Sequence, residues 1–374
     1  MAPCVRSRPR RAWDAGRSGD GCIATPLRRS GAATLSKRSR ALLLAARRIA
    51  VVRPDALGDL VLVLPMFSVL RERCPGAELH ILCRRYAIAL TDGLPVLDRV
   101  HLVDEVAGGV GAVLAAGGFD AVFLPRIRDV DCWSAWRAGI PLRVGSAYRW
   151  YSPLLSHRVK DRRKVSRYHE AEYNTRMIGS VLGETVPTAL VRPWVAPGAR
   201  ENVLRRLSAA GVTGDDRIVV LHPGSGGNSI EWPAERFGAL GALLAAQAGI
   251  RIIVTGVGSE RARCEALVVA AGERARAISL VGELDLPEMI ALLDRSALLV
   301  ANSTGVLHIA AALGTPVLGL YPREPAWMSA ARNGPYSTRA RVLMPPASDP
   351  TEMRCITPED AVVPARELLG PARV

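Results

Sequence analysis

The chain has 374 residues, of which 49% are hydrophobic and 22% charged, with a formal net charge of +14. That composition belongs to a core-forming globular protein and excludes an intrinsically disordered chain, and the length suits two domains of ordinary size. The charge is unevenly placed. Residues 1–48 hold twelve Arg or Lys against Asp14 and Asp20, so ten of the fourteen net positive charges lie there and the remainder is only mildly basic.

Residues 1–47 are rich in Arg, Ser, Gly and Ala, show no apolar periodicity up to about Ser39, and read as a disordered extension or the product of an upstream start codon. A basic arm of this kind binds polyanions in some proteins, an anionic membrane surface among them; a nucleic-acid partner rests on this arm alone and is not expected. The apolar run Ala41-Leu-Leu-Leu-Ala-Ala46 is too short for a secretory signal, and no run approaches the roughly 20 apolar residues that span a bilayer. The seven cysteines contain no C-x-x-C pair, which suits a reduced, cytoplasmic protein. The six histidines show no metal-ligand spacing, so no metal is expected.

The first strand is Arg48-Ile-Ala-Val-Val-Arg53, broken by Pro54 and followed by an apolar helix from Leu60 to about Arg71 with a kink at Pro65. Short apolar runs at 78–82, 99–103, 121–124 and 142–145 read as further strands, and 169–182 as a helix; 148–167 is basic and hard to place. Residues 184–198 hold three prolines and suit a linker, assigned to 191–198. After a helix at about 199–210 the alternation resumes more cleanly. Strands are expected at 217–221, 251–255, 277–281, 298–302 and 316–320, and helices at 233–248, 259–271, 286–295 and 304–313. Asp285-Leu-Pro-Glu288 and Thr357-Pro-Glu-Asp360 carry the helix-start pattern of a capping residue three positions before an acidic one. Strands alternating with helices predict an α/β chain of two doubly wound parallel-sheet units, 48–190 and 199–356, with a terminal helix in 357–374.

Ligand sites in such sheets lie outside the carboxyl ends of the strands, so the loops there carry the chemistry. After strand one comes Leu57-Gly58-Asp59, where Asp59 is either a helix-terminal residue that complements the dipole or a catalytic carboxylate facing a cleft. No G-x-G-x-x-G follows this strand, which counts against a nicotinamide cofactor. In the second unit His222-Pro-Gly-Ser-Gly-Gly227 joins a strand to a helix start at Pro233; it is either an ordinary βα turn or a phosphate loop, with Gly224, Gly226 and Gly227 allowing close backbone approach. Thr255-Gly-Val-Gly-Ser-Glu260 is a second Gly-rich turn, its Glu260 of a kind that grips a ribose hydroxyl. Ser303 or Thr304 can cap a helix one turn before His308. Three such loops in one unit make a nucleotide-site hypothesis.

In this order the segments resemble glycosyltransferase family 9, the heptosyltransferases, over nearly all of 48–370. They are Leu57-Gly-Asp59, His169-Glu-Ala-Glu-Tyr-Asn174, His222-Pro-Gly-Ser-Gly-Gly227 with Glu231-Trp-Pro233, Ser303-Thr-Gly-Val-Leu-His308, Gly334-Pro-Tyr336 and Ile356-Thr-Pro-Glu-Asp360. The resemblance implies a GT-B architecture, with two Rossmann-like domains facing a cleft, and an inverting, metal-independent transferase without a cofactor. Asp59 would be its general base. Gly224, Ser225, Gly226, Gly227, Glu260, Ser303, Thr304, Gly305 and His308 would bind a nucleoside-diphosphate sugar such as ADP-heptose. Arg84, Arg126 and Arg143, with Arg128 nearby, would meet a glycan or glycolipid acceptor, and the protein would work in the cytoplasm, peripherally at the inner membrane face. The family commonly places a lysine beside the donor phosphates where this chain has Ile230, and Arg236, Arg261 and Arg323 are the candidate replacements. Two other readings share these residues: a non-catalytic nucleotide- or glycan-binding protein, and a GT-B-like sugar-nucleotide epimerase.

Overall fold

The computed structural model describes residues 31–227 and 229–371. The first half runs α1 (Gly31–Leu44), β1 (Arg48–Val52), α2 (Leu57–Val61), α3 (Pro65–Arg73), β2 (Glu78–Cys83), β3 (Arg99–Leu102), α4 (Gly109–Ala116), β4 (Ala121–Phe123), α5 (Asp129–Arg137), β5 (Leu142–Ser146), β6 (His157–Val159) and α6 (Glu170–Leu182). After residues 185–196, which carry no regular element, come α7 (Pro197–Ala209), β7 (Arg217–His222), α8 (Ala234–Ala245), β8 (Ile250–Val254), α9 (Arg261–Ala275), β9 (Ile278–Ser279), α10 (Leu286–Arg295) and β10 (Leu298–Asn302). The chain ends with α11 (Gly305–Leu313), β11 (Val317–Leu320), α12 (Ala330–Asn333), β12 (Ala340–Leu343) and α13 (Pro358–Leu369).

Two six-stranded, all-parallel sheets result, ordered β3-β2-β1-β4-β5-β6 and β12-β11-β10-β7-β8-β9. Both have the doubly wound order, in which the winding reverses between the first and fourth strands of each sheet. Central strands buried on both faces read as continuous apolar runs, and β1, β7 and β10 do so: Ile49, Val51, Ile218, Val220 and Leu299 are fully buried. One apolar cluster runs through both halves, joining Leu60 and Val61 to Val306 and Leu307.

Local signals account for several boundaries. The capping boxes form: Asp285 Oδ1 accepts from the Glu288 amide at 2.8 Å, and the Asp360 amide donates to Thr357 Oγ1 at 3.1 Å. The single helix expected at 60–71 divides into α2 and α3, because Pro65 begins a new helix, where its missing N–H costs nothing. The first of the linker's downstream helices begins at Pro197 rather than 199 for the same reason. Residues 31–44 form α1, where no structure was expected; fully buried Leu43 seats it on the first sheet's helical layer. The reading of residues 1–30 lies outside the described residues. Among those described, no helix is long and apolar enough to cross a membrane.

Candidate active site

Three of the four motif loops of the sequence lie at the two points where the winding reverses, and the fourth, after β8, lies beside the loop after β7. β1 pairs with β4, and β7 with β10, so the loops that follow them open side by side. The two sheets present these ends to each other through α2 and α11. A Cβ on Gly58 would stand 2.7 Å from His308 Cδ2 and 3.3 Å from Gly305 Cα, and one on Gly305 would stand 3.0 Å from the Gly58 nitrogen. The Leu57-Gly-Asp59 turn and the N-terminus of α11 therefore touch, backbone to backbone.

Asp59 sits at this junction with 36% of its side chain exposed, open to a reactant. One carboxylate oxygen lies 2.7 Å from Arg53 Nη2. Arg53 itself is buried and lies 3.5 Å from Asp55, which pairs with Arg126 at 2.7 Å. Burial works to lower the Arg53 pKa, but Asp59, Glu170 and Asp55 together outweigh it and hold the guanidinium charged, above its ordinary value. Beneath them Glu170, 3% exposed, is held by Arg163 and, at 2.9 Å, by Arg332 of the other half. Arg163 also donates to Asn174 Oδ1 at 3.0 Å, and the Asn174 amide donates to Leu62 O at 2.8 Å.

Opposite Asp59, Thr304 occupies the N-cap of α11 without a side-chain cap bond. The Ser303 hydroxyl instead lies beside the phenol of Tyr321. The first-turn amides of α11 face the junction with the positive end of the helix dipole. His308, one turn in, is buried, and burial, with His169 nearby, pushes its pKa down to about 3. It is a neutral imidazole, and its Nδ1 makes no hydrogen bond among the described residues.

The 222–233 loop is built differently from a free phosphate cradle. Ser225 already has an anion: its amide and hydroxyl both donate to Glu231 Oε1, at 2.8 and 2.7 Å, and Glu231 pairs with Arg263 at 2.8 Å. Ser225 is expected to meet the donor, and here an internal carboxylate holds its donors. Gly224 is needed for a different reason: a Cβ there would overlap the Glu260 carboxylate, at 1.9 Å from Oε1. Glu260 in turn accepts from the Val257 amide at 3.0 Å, which fixes it between two Gly-rich turns. Gly226 and Gly227 have φ of 60° and 78°, the left-handed region that favours glycine. Buried Asn302 locks this loop to the end of β10: it accepts from the Trp232 amide at 2.9 Å and donates to Pro223 O at 2.7 Å.

Half-buried Ile230 lines a hollow of about 350 Å³ together with Glu231, Arg263 and Arg354. Two of the expected replacement cations are committed to backbone carbonyls, Arg261 to Val281 O and Arg323 to Pro345 O, each at 3.0 Å. Arg263 is the cation beside the Gly-rich loop. Among the acceptor candidates, Arg126 and exposed Arg84 stand at the cleft side of β4 and β2, while Arg128 pairs with Asp131 at 2.6 Å. The Arg143 guanidinium donates to the carbonyls of Leu154 and Ile140, which makes it a brace between β5 and the following turn.

The sequence reading gave no role of their own to Arg53, Asp55, Asn302 and Glu231. Arg53 and Asn302 are polar residues ending buried apolar strands, a signal present in the sequence. The two halves are further clamped by α6. His169 Nδ1 accepts from the Ala171 amide, so Nε2 carries the proton and donates to Gly334 O at 2.8 Å. Its ring lies 4.7 Å from that of Tyr336, whose hydroxyl donates to Glu172 at 3.2 Å.

Comparison with known proteins bears on this arrangement. The model of glycosyltransferase family 9 (heptosyltransferase) matches residues 133–358. A protein described as a putative glycosyltransferase of Haemophilus influenzae is 27% identical over 290 residues, which cover 74% of this chain and 83% of that protein. A family 9 glycosyl transferase from Veillonella parvula superposes with a TM-score of 0.76 at 22% identity, over 87% of this chain and 98% of its own. The Escherichia coli ADP-heptose lipopolysaccharide heptosyltransferase II does so with a TM-score of 0.71 at 21% identity, over 86% and 98%.

Proposed function

The chain belongs to glycosyltransferase family 9, the heptosyltransferase family, and is a glycosyltransferase of the GT-B fold; on that premise we propose that it moves a heptose or similar sugar from a nucleoside diphosphate to a cell-envelope glycan or glycolipid with inversion at the anomeric carbon. ADP-heptose is the leading donor, on the analogy of the Escherichia coli relative named for it. Residues 48–190 serve as the acceptor half, 191–198 as the linker and 199–356 as the donor half, with the helix in 357–374 packed on the latter. The protein works in the cytoplasm, peripherally at the inner membrane face.

The observation that carries this reading is the contact of Gly58 with Gly305 and His308, which sets Asp59 beside the N-terminus of α11. With the donor diphosphate at that terminus, its sugar C1 faces Asp59. The acceptor hydroxyl oxygen attacks C1 from the face opposite the diphosphate while Asp59 takes its proton. The C1–O bond breaks, and its electron pair leaves on the diphosphate oxygen, stabilised by the α11 amides. Arg53 fixes one Asp59 oxygen and leaves the other for the proton. Glu260 holds the ribose, neutral His308 hydrogen-bonds the donor, and Arg84 and Arg126 orient the acceptor. No metal or cofactor enters this scheme. Incubation with ADP-, GDP-, UDP- and TDP-sugars and a core oligosaccharide, with the product anomer read by NMR, tests it. Transfer with inversion is expected; a retained anomer, or epimerised donor without acceptor, contradicts it.

A further inference from the structure

The basic stretch that the sequence left unplaced forms, with α5, a surface of unusual composition. On the outer side of α5, Trp133 and Trp136 are exposed at 39% and 49% and meet edge to face with centroids 5.6 Å apart. Arg137 lies 5.9 Å from the Trp133 ring centre. The 148–152 turn is tied to the same region, since the Tyr151 hydroxyl donates to Ile127 O at 3.0 Å, just before α5. This turn carries Trp150, the most exposed aromatic residue among those described at 75%, and Tyr148, with the Arg162 guanidinium 5.0 Å over its ring.

The charge of the stretch after α5 is almost all of one sign, while on α5 itself Asp129 is exposed and Asp131 is buried against Arg128. Arg149, Arg158, Lys160, Arg162, Lys164 and Arg167 are exposed, and the sole carboxylate between residues 137 and 167, Asp161, is paired with Arg176 at 2.9 Å. Exposed indoles flanked by exposed cations match a lipid–water boundary, where Trp and Tyr settle at the headgroup level and Arg and Lys meet anionic headgroups. A soluble protein partner would leave the strong positive field without its counter-charge unless it were acidic, whereas an anionic bilayer satisfies both features over a flat area. Each basic side chain near such a surface adds roughly fivefold to binding.

We infer that this aromatic and basic face of the N-terminal half, from α5 through the 148–167 stretch, seats the protein on an anionic bilayer. The inference rests on the reading above that the acceptor is a membrane glycolipid. The face adjoins Arg126, the loop residue that closes on Asp55 at the cleft, so a bilayer seated there brings a lipid-anchored acceptor to the cleft mouth.

Co-sedimentation of the full chain with vesicles of 3:1 phosphatidylethanolamine and phosphatidylglycerol, and with phosphatidylcholine vesicles, tests it. Wild type is expected to bind the anionic vesicles and not the zwitterionic ones. Two variants, W133S/W136S/W150S and R149E/R162E/K164E, are each expected to bind at least about tenfold more weakly, with unchanged melting temperature and unchanged transfer to a delipidated acceptor. Equal binding of either variant and wild type overturns the assignment of this face and moves the contact elsewhere, the basic N-terminal residues first. Absence of wild-type binding, or equal binding to phosphatidylcholine, overturns the bilayer itself as the partner. Transfer to the delipidated acceptor reads the catalytic proposal separately from either failure.

Discussion

Gly58 and Gly305, from opposite halves of the chain, meet with no room for a side chain between them: a Cβ on Gly305 would stand 3.0 Å from the Gly58 nitrogen and 2.9 Å from Leu57 Cβ. The glycine in each motif is thus explained by the other. Gly58→Ala puts a methyl 2.7 Å from the His308 ring and must displace α2 from α11. Overpacking of this kind costs about 1–3 kcal/mol, and a displacement near 1 Å at a reacting site costs about 10²-fold in rate. Either alanine variant is expected to fall in kcat by about that factor, read by steady-state transfer assays. Because both act on one contact, the double variant should fall by much less than the product of the two.

Asn302 is the hinge pin of the donor loop. Replacing it with alanine leaves the Trp232 amide and Pro223 carbonyl without their partner in a buried place, a loss of about 1–3 kcal/mol. Chemical denaturation measures that loss. Donor KM should rise more than kcat falls, because the loop is freed while Asp59 is untouched. Asn302→Asp should not rescue, since a carboxylate cannot donate to Pro223 O.

How much of this was legible in the sequence depended on how local the cause was. Buried strands such as β7 and β10 announced themselves as apolar runs, and the capping boxes at Asp285 and Thr357 need only residues three apart. The edge strand β6 has three residues and a single buried one, so it gave no pattern. Arg126 and Arg143 looked alike as cations at strand ends; what separates them is a carboxylate 71 residues away in one case and two backbone carbonyls in the other. Glu231 was read as part of a motif, yet its bond to Ser225 depends on how the 224–230 turn closes, which composition does not encode. The Gly-Asp and Ser-Thr-Gly segments were readable as motifs; their contact across the halves was not.

Removing Arg53 tests the buried charge network. Asp55, 7% exposed by side chain, would keep only Arg126, Asp59 would lose its ion pair, and Glu170 would keep Arg163 and Arg332. Breaking a buried pair from one side costs about 3–5 kcal/mol. Arg53→Met is expected to lose less than that in urea unfolding, because Asp55 and Glu170 keep other cations and Asp59 is partly exposed. Arg53→Lys should recover only part, because a single ammonium nitrogen cannot span the two positions that Nε and Nη2 of the guanidinium occupy toward Asp55 and Asp59.

His308 makes stability depend on pH with a definite sign. Its folded pKa of about 3 lies below the unfolded value of about 6.5. Between those values the unfolded chain binds a proton that the folded chain refuses, so stability is full above about pH 6.5. It is lost toward pH 3 at up to about 1.4 kcal/mol per pH unit. Burial lowers the pKa of His169, His222 and His157 too, and these act in the same direction. His308→Gln should remove up to one proton's share of the slope between pH 4 and 6, read from urea midpoints across that range. An unchanged slope contradicts a buried, neutral His308.

The central claim is that Asp59, fixed by Arg53 at the N-terminus of α11, takes the acceptor proton. Asp59→Asn keeps the size and the hydrogen-bonding shape of the side chain and removes the base. The most direct measurement is single-turnover transfer by this variant beside donor binding by calorimetry. The account predicts a rate lower by about 10²–10⁴-fold with donor Kd within about twofold of wild type. Transfer at the wild-type rate, with the donor bound as before, would contradict it.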